Sequence, residues 1–151
     1  MTLVEFAEQY RVRTRQDECG ETIIPGKLWK VQPNSHFASP NRLWQYGHQI
    51  YEHGKGQFGL LLMFGTANGN EIGGTGKSAK WVNAQKKLIA AGFTIRQNGD
   101  AEGTALFNPE DKAQARFALK LAGVKARRQL SPERRAALAS QLEAARSKKA
   151  A

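Results

Sequence analysis

Residues 93–124 read FTIRQNGDAEGTALFNPEDKAQARFALKLAGV, and this stretch decides the fold class. Phe93 to Gln97 reads as a strand, Asn98-Gly99-Asp100 as a turn, and Thr104 to Phe107 as a returning strand. Asn108 then stands as a helix cap with Pro109 at the first helical position, and the helix closes at Gly123, in the usual place past a last turn. The order is strand, strand, helix.

The same order precedes it. His48 to Glu52 and Gln57 to Phe64 flank Gly54-Lys55-Gly56 as a hairpin, and the apolar run Leu60 to Phe64 suits a central strand. Ser78 caps a helix to Ala91 that ends at Gly92. The two endings match, Leu88-Ile89-Ala90-Ala91-Gly92-Phe93 against Leu119-Lys120-Leu121-Ala122-Gly123-Val124. The glycines lie 31 residues apart and Phe64 and Phe107 lie 43 apart, so the first unit holds 12 further residues, roughly Gly65 to Gly76, before its helix. Two strand-strand-helix units, about 48–92 and 93–123, predict an antiparallel sheet built from β-hairpins with both helices on one face, an α+β fold.

Toward the N-terminus, Thr2 and Glu5 have capping-box spacing, and Leu3, Phe6, Ala7 and Tyr10 follow at helical intervals, which predicts an N-terminal helix. Tyr10 to Thr14 alternates, Asp17 to Gly20 reads as a turn, and Thr22-Ile23-Ile24 is a β-branched run closed by Pro25-Gly26, suggesting a first hairpin. Residues 27–47 lose periodicity and read as an irregular loop. Toward the C-terminus, Ser131 caps and Pro132 opens a last helix, about 132–147, whose apolar stripe of Leu138, Leu142 and Ala145 is thin. The organisation is a compact α+β domain over 1–123, with a Gly-rich loop at 65–76, and a basic extension over 124–151.

Charge sets the function class. Residues 1–111 carry 12 Lys and Arg against 11 Asp and Glu, whereas residues 112–151 carry 11 against 2. Nearly the whole excess of +10 is therefore one segment, and a polyanion is its natural partner, because neutralising closely spaced phosphates releases condensed counterions. Lys112, Arg116 and Lys120 recur along one face of the second unit's helix, beside a stripe of Ala113, Phe117 and Leu121 expected to face the core. Lys125, Arg127 and Arg128 follow in the connecting segment. Arg134 and Arg135 open the last helix, where they oppose its dipole unless an anion binds there. Lys77, Lys80 and Lys87 share a face of the first unit's helix, and the loop before it is a further place for a backbone phosphate. In the loop 27–47, Trp29, Phe37, Trp44 and Tyr46 interleave with basic residues and offer rings for base stacking, although packing on the core is the commoner use of such rings.

Several chemistries fail on spacing. Gly69 to Ser78 resembles a phosphate-binding P-loop, but Glu71 occupies the position of its first glycine and no magnesium ligand follows. His48 and His53 have opposite parity in one hairpin and make a poor metal pair. Asp17, Glu21, Asp100 and Glu102 are the loose carboxylates a metal-dependent nuclease would need, with no catalytic spacing. The seven residues between the last two helices are too many for a helix-turn-helix. Cys19 is the only cysteine, which excludes an internal disulfide and a Cys-based zinc site. No apolar run is long enough to span a membrane and the N-terminus lacks a basic leader, so the expected setting is the cytoplasm.

The expected function is nucleic-acid binding, DNA or RNA, through the phosphate backbone, with no cofactor or metal and no membrane partner. An accessory factor of a phage, a mobile element or an RNA-metabolism complex suits such a chain, within a larger nucleoprotein assembly. The alternatives are an adaptor or subunit that binds an acidic protein or ribonucleoprotein, and a small metal-dependent nuclease.

Overall fold

The reciprocal cap expected at the N-terminus forms. In this computed structural model, which describes residues 1–17, 19–28, 47–64 and 78–150, the Glu5 amide donates to Thr2 Oγ1 at 3.2 Å and the Thr2 amide to the Glu5 carboxylate at 2.7 Å. Two donors that the first turn leaves orphaned are thereby satisfied. The helix they start, α1, runs Leu3–Tyr10 and buries Leu3, Phe6 and Ala7. Glu52 accepts from the Leu3 amide, placing a carboxylate at the positive end of the helix dipole.

Among the described residues six strands make one antiparallel sheet in the order β1-β2-β3-β4-β6-β5. They are β1 Arg15–Gln16, β2 Thr22–Leu28, β3 Gly47–Gly54, β4 Gln57–Met63, β5 Thr94–Asn98 and β6 Glu102–Phe107. The β3–β4 hairpin turns on Lys55 and Gly56, at φ 53° and 73°; left-handed backbone at both central positions gives the two-residue turn whose twist matches its strands. Alternation then sorts the side chains. Ile24, Ile50, Leu60, Ala105 and Ile95 are successive register partners across five strands. Phe58 opposite Phe107 extends the same face. On the other face Tyr51, Leu61, Met63 and Leu106 are half-buried.

β2 does not close at Pro25-Gly26 as the sequence suggests. β1 pairs only with Thr22 and Ile23, so beyond them no described strand asks for the donor that Pro25 lacks, and β2 continues. Gly26 has its own reason. A Cβ there would collide with the Ala122 carbonyl and with His48, and only bare backbone lets the Lys27 amide reach the Ala122 carbonyl at 2.7 Å. The alternation from Tyr10 to Thr14 yields no strand, because Tyr10 still belongs to α1.

Helices α2 (Ala79–Ala90) and α3 (Lys112–Leu121) lie on the same face as α1. Trp81, Ala84 and Leu88 from α2, and Ala115 and Ala118 from α3 with Ala122 at its C-cap, join Phe6 in one core over Phe58, Leu60, Leu62 and Phe107. The class is α+β. Trp81 lies so close over Gly103 that any side chain there would enter its indole, and its Nε1 donates to Asn98 Oδ1 at 2.9 Å. Ser78 sits at the N-cap of α2 without a side-chain cap bond; its amide donates to the Asp100 carbonyl at 2.7 Å instead.

The start of α3 differs from the expectation. Asp111, not Asn108, is the cap, its carboxylate accepting from the Ala113 and Gln114 amides at 2.9 and 3.1 Å, while Asn108 closes a turn by accepting from the Glu110 amide. An ionised acceptor suits the positive helix end better than an amide does. The core stripe is also shifted. Ala113 is exposed and Phe117 and Leu121 are half-buried, whereas Ala115, Ala118 and Ala122 are fully buried; small side chains bring this helix down onto a floor already filled by phenylalanine rings. The matched endings hold. Phe93 donates to the Leu88 carbonyl and Val124 to the Leu119 carbonyl, both at 3.0 Å, across Gly92 and Gly123 at φ 84° and 70°.

The last helix, α4, spans Pro132–Ala150, beyond the expected end near 147, and buries no residue. Among the described residues no helix is long and apolar enough to cross a membrane.

Candidate functional site

Helix α1 ends in the same motif as α2 and α3, with one difference. Val12 donates to the Ala7 carbonyl at 2.9 Å and Arg11 to the Glu8 carbonyl at 3.1 Å, but the left-handed position is Arg11, at φ 57°. A residue with a Cβ pays about 1–2 kcal/mol for that conformation, and it persists where surrounding contacts determine it. Here they come from the extension. The Arg127 amide donates to the Arg11 carbonyl at 2.7 Å, the Arg11 guanidinium donates to the Arg127 carbonyl at 3.1 Å, and Arg127 Nη2 donates to the Val12 carbonyl at 3.2 Å. Val124 packs against the core, so the segment leaving α3 is fastened at two points before it reaches α4.

This fastening shapes a groove of about 370 Å³ lined by Ala7, Glu8, Arg11, Arg127, Arg128, Gln129 and Arg135. Four arginines from three segments line one cleft, and Glu8 is the only acidic residue in its lining. A second hollow of about 490 Å³ adjoins it, bounded by Gln129, Leu130, Ser131, Pro132 and Arg135. Ser131 Oγ accepts from the Arg134 amide at 3.2 Å, which fixes the start of α4 and with it the base of Arg135.

Of the residues expected from sequence, the structure gathers Arg127, Arg128 and Arg135 into this groove. The Arg127 side chain gives one donor, Nη2, to the Val12 carbonyl. The side chains of Arg128 and Arg135 have no hydrogen-bond or ionic partner among the described residues. Lys112, Arg116 and Lys120 are exposed on α3, Lys125 is exposed in the segment that follows, and Arg134 is exposed beside Arg135. Lys80 and Lys87 are exposed on α2, which packs on β5 and β6, whereas α1 contacts β2 toward the other edge of the sheet; those two lysines therefore stand apart from the groove. Lys77, Trp29, Phe37, Trp44 and Tyr46 lie outside the described residues. Among the described residues the one ion pair joins the N-terminal amine to Glu110 at 3.9 Å, so none of the described cations named above is neutralised by a carboxylate there.

Arg11 is the residue that sequence reasoning missed. It falls in the part of the chain whose charges balance, and its true signal, a basic residue directly after the last turn of an amphipathic helix, is one that also serves merely to cap carbonyls.

Three other titratable groups are held by contacts within the fold. His48 is buried and its Nδ1 accepts from the Met63 amide at 3.0 Å, so the proton of the neutral ring sits on Nε2. Burial first, and then the charge of Lys27, lower its pKa to about 4. His53 instead meets Arg96, ring nitrogen to guanidinium, at 2.5 Å. Asp17 Oδ1 accepts from the Cys19 and Glu21 amides at 2.9 Å each, which is turn chemistry. Among the described residues no three His, Cys, Asp or Glu side chains come together where a metal could be held. Comparison of the chain with protein-family models, with curated proteins and with solved structures finds no match.

Proposed function

We propose that the protein binds nucleic acid through the phosphate backbone, with little readout of the bases. The observation that supports this reading is the pairing state of its cations. From Lys112 to Arg135 every basic side chain lacks a carboxylate partner among the described residues, and three of them share a groove with Arg11. A surface built for solubility mixes both signs, whereas unpaired cations gathered on one side gain free energy by releasing the counterions of a polyphosphate. Lys112, Arg116, Lys120 and Lys125 extend the contact along α3 and the segment after it. The proposal includes a cytoplasmic setting and a role as an accessory factor within a larger nucleoprotein complex.

A salt titration tests it. Affinity for a mixed-sequence oligonucleotide is expected to fall on the order of 10³-fold between about 50 and 200 mM salt, and an affinity indifferent to salt overturns the reading. One observation favours a second reading, an adaptor for an acidic protein: α4 leaves Leu138 and Leu142 40% and 60% exposed. Binding of polyglutamate as tightly as nucleic acid at equal salt would select that reading.

A further inference from the structure

We infer that the groove between the end of α1 and the start of α4 seats one phosphodiester of the bound strand, held by Arg128 and Arg135 from the extension and by Arg11 from the body. The inference rests on the nucleic-acid reading above and adds a fixed point of grip to an otherwise diffuse charge attraction.

Three features converge on it. The first is space: about 370 Å³ falls at the lower end of small-ligand sites, roughly 300–1,000 Å³, which admits a phosphate with its flanking sugar. The second is charge. Four arginines line the cleft, and its single acidic residue, Glu8, forms no ion pair with any of them. Gathering like charges costs free energy unless an anion joins them, and the planar fork of a guanidinium fits two oxygens of one phosphate. The third is strain. Glycine fills the left-handed position at the ends of α2 and α3, yet α1 holds Arg11 there at φ 57°, where its contacts with Arg127 keep a cationic side chain at the groove that glycine would not supply.

The roles divide by what each side chain already does. Arg127 gives Nη2 to the Val12 carbonyl and its main-chain amide to the Arg11 carbonyl, so it ties the extension to α1 from both main chain and side chain and serves first as a positioning residue, its remaining guanidinium donors left for the groove. Arg11 gives one donor to the Arg127 carbonyl and keeps the rest of its five N–H donors for the ligand. Arg128 and Arg135 bring theirs entire.

The test uses the full chain and a fluorescently labelled mixed-sequence strand, alone and as its duplex, at one fixed salt concentration. Arg128→Ala with Arg135→Ala is compared with Lys148→Ala plus Lys149→Ala, a pair that removes the same charge from the far end of α4. The groove pair should weaken binding about tenfold or more, the loss expected for a charge-assisted hydrogen bond; the distal pair should weaken it about two- to threefold. Arg11→Gly should weaken binding several-fold while the melting temperature holds or rises, a combination that misfolding cannot produce. Equal losses for the two pairs, or Arg11→Gly binding like the wild type, overturn the seat while leaving backbone binding intact. A strand carrying a 5′-phosphate should bind as the unphosphorylated strand does, and a marked preference for it overturns the assignment to an internal phosphodiester. Failure of the wild type to bind either form sinks the nucleic-acid reading itself.

Discussion

Helices α3 and α4 are both basic and, among the described residues, neither pairs a cation with a carboxylate, but only α3 is held in place. Three alanines, Ala115, Ala118 and Ala122, press α3 and its C-cap onto the sheet with no exposed surface, and the Ala122 carbonyl is bonded to β2. α4 buries nothing along 19 residues. The difference teaches that charge and burial are separate assignments here: the same kind of cationic surface is carried once on a rigid face and once on an arm tethered at its start. Stability should therefore reside in the first helix and be almost absent from the second. The sharpest way to break that comparison is Ala118→Leu, which forces a branched side chain between helix and sheet and should cost about 3 kcal/mol, at the upper end of overpacking. Urea denaturation measures it, and a loss below the error of the method would mean that α3 is as loosely held as α4.

The body and the arm should also answer to different solution variables. His48 lies in the core beneath α3, and its pKa is lowered to about 4 from 6.5, so folding favours the neutral ring. Its contribution is complete above pH 6.5 and is lost as the pH falls toward 4, because the unfolded chain takes up the proton first. The slope in that window reaches about 1.4 kcal/mol per pH unit. Denaturation at neutral pH and near pH 4 should show it, and His48→Gln, which keeps an acceptor for the Met63 amide, should flatten it. The cations of α3 and of the arm are no such group, and binding through either should follow salt. Replacing Lys112, Arg116 or Lys120 singly by Ala should leave stability within about 0.5 kcal/mol and reduce the slope of log affinity against log salt by about one each.

What the sequence makes legible follows from how local each cause is. Gly92 and Gly123 announce their helix ends because the left-handed residue and the carbonyls it frees lie within six positions of one another. The β3–β4 turn is legible for the same reason. Asp111 lost to Asn108 on paper because both are good caps with a carboxylate or amide in reach, and the choice depends on where α3 meets the sheet. Pro25 looked like a stop because nothing in the sequence says that β1 will be two residues long. The groove divides in the same way. Arg127, Arg128 and Arg135 stand out through the charge block to which they belong, whereas Arg11 is joined to Arg127 across 116 positions and is invisible until the fold brings the two together.

The smallest effect is expected where the comparison began. Leu138 and Leu142 are the only large apolar residues of α4, 40% and 60% exposed, and replacing both by Ala removes contacts that are barely made. The exchange also raises intrinsic helix propensity slightly. The double variant should change the free energy of unfolding by less than about 0.5 kcal/mol, where Leu60→Ala, in the buried row of β4, should lose about 2–5 kcal/mol. Oligonucleotide affinity should be unchanged as well, because neither leucine touches the arginine groove. If the wild type is more stable at high protein concentration than at low and the double variant loses that difference, or if the double variant lowers affinity without changing charge, then α4 packs against something in solution, and the arm is a second interface rather than a carrier of charge.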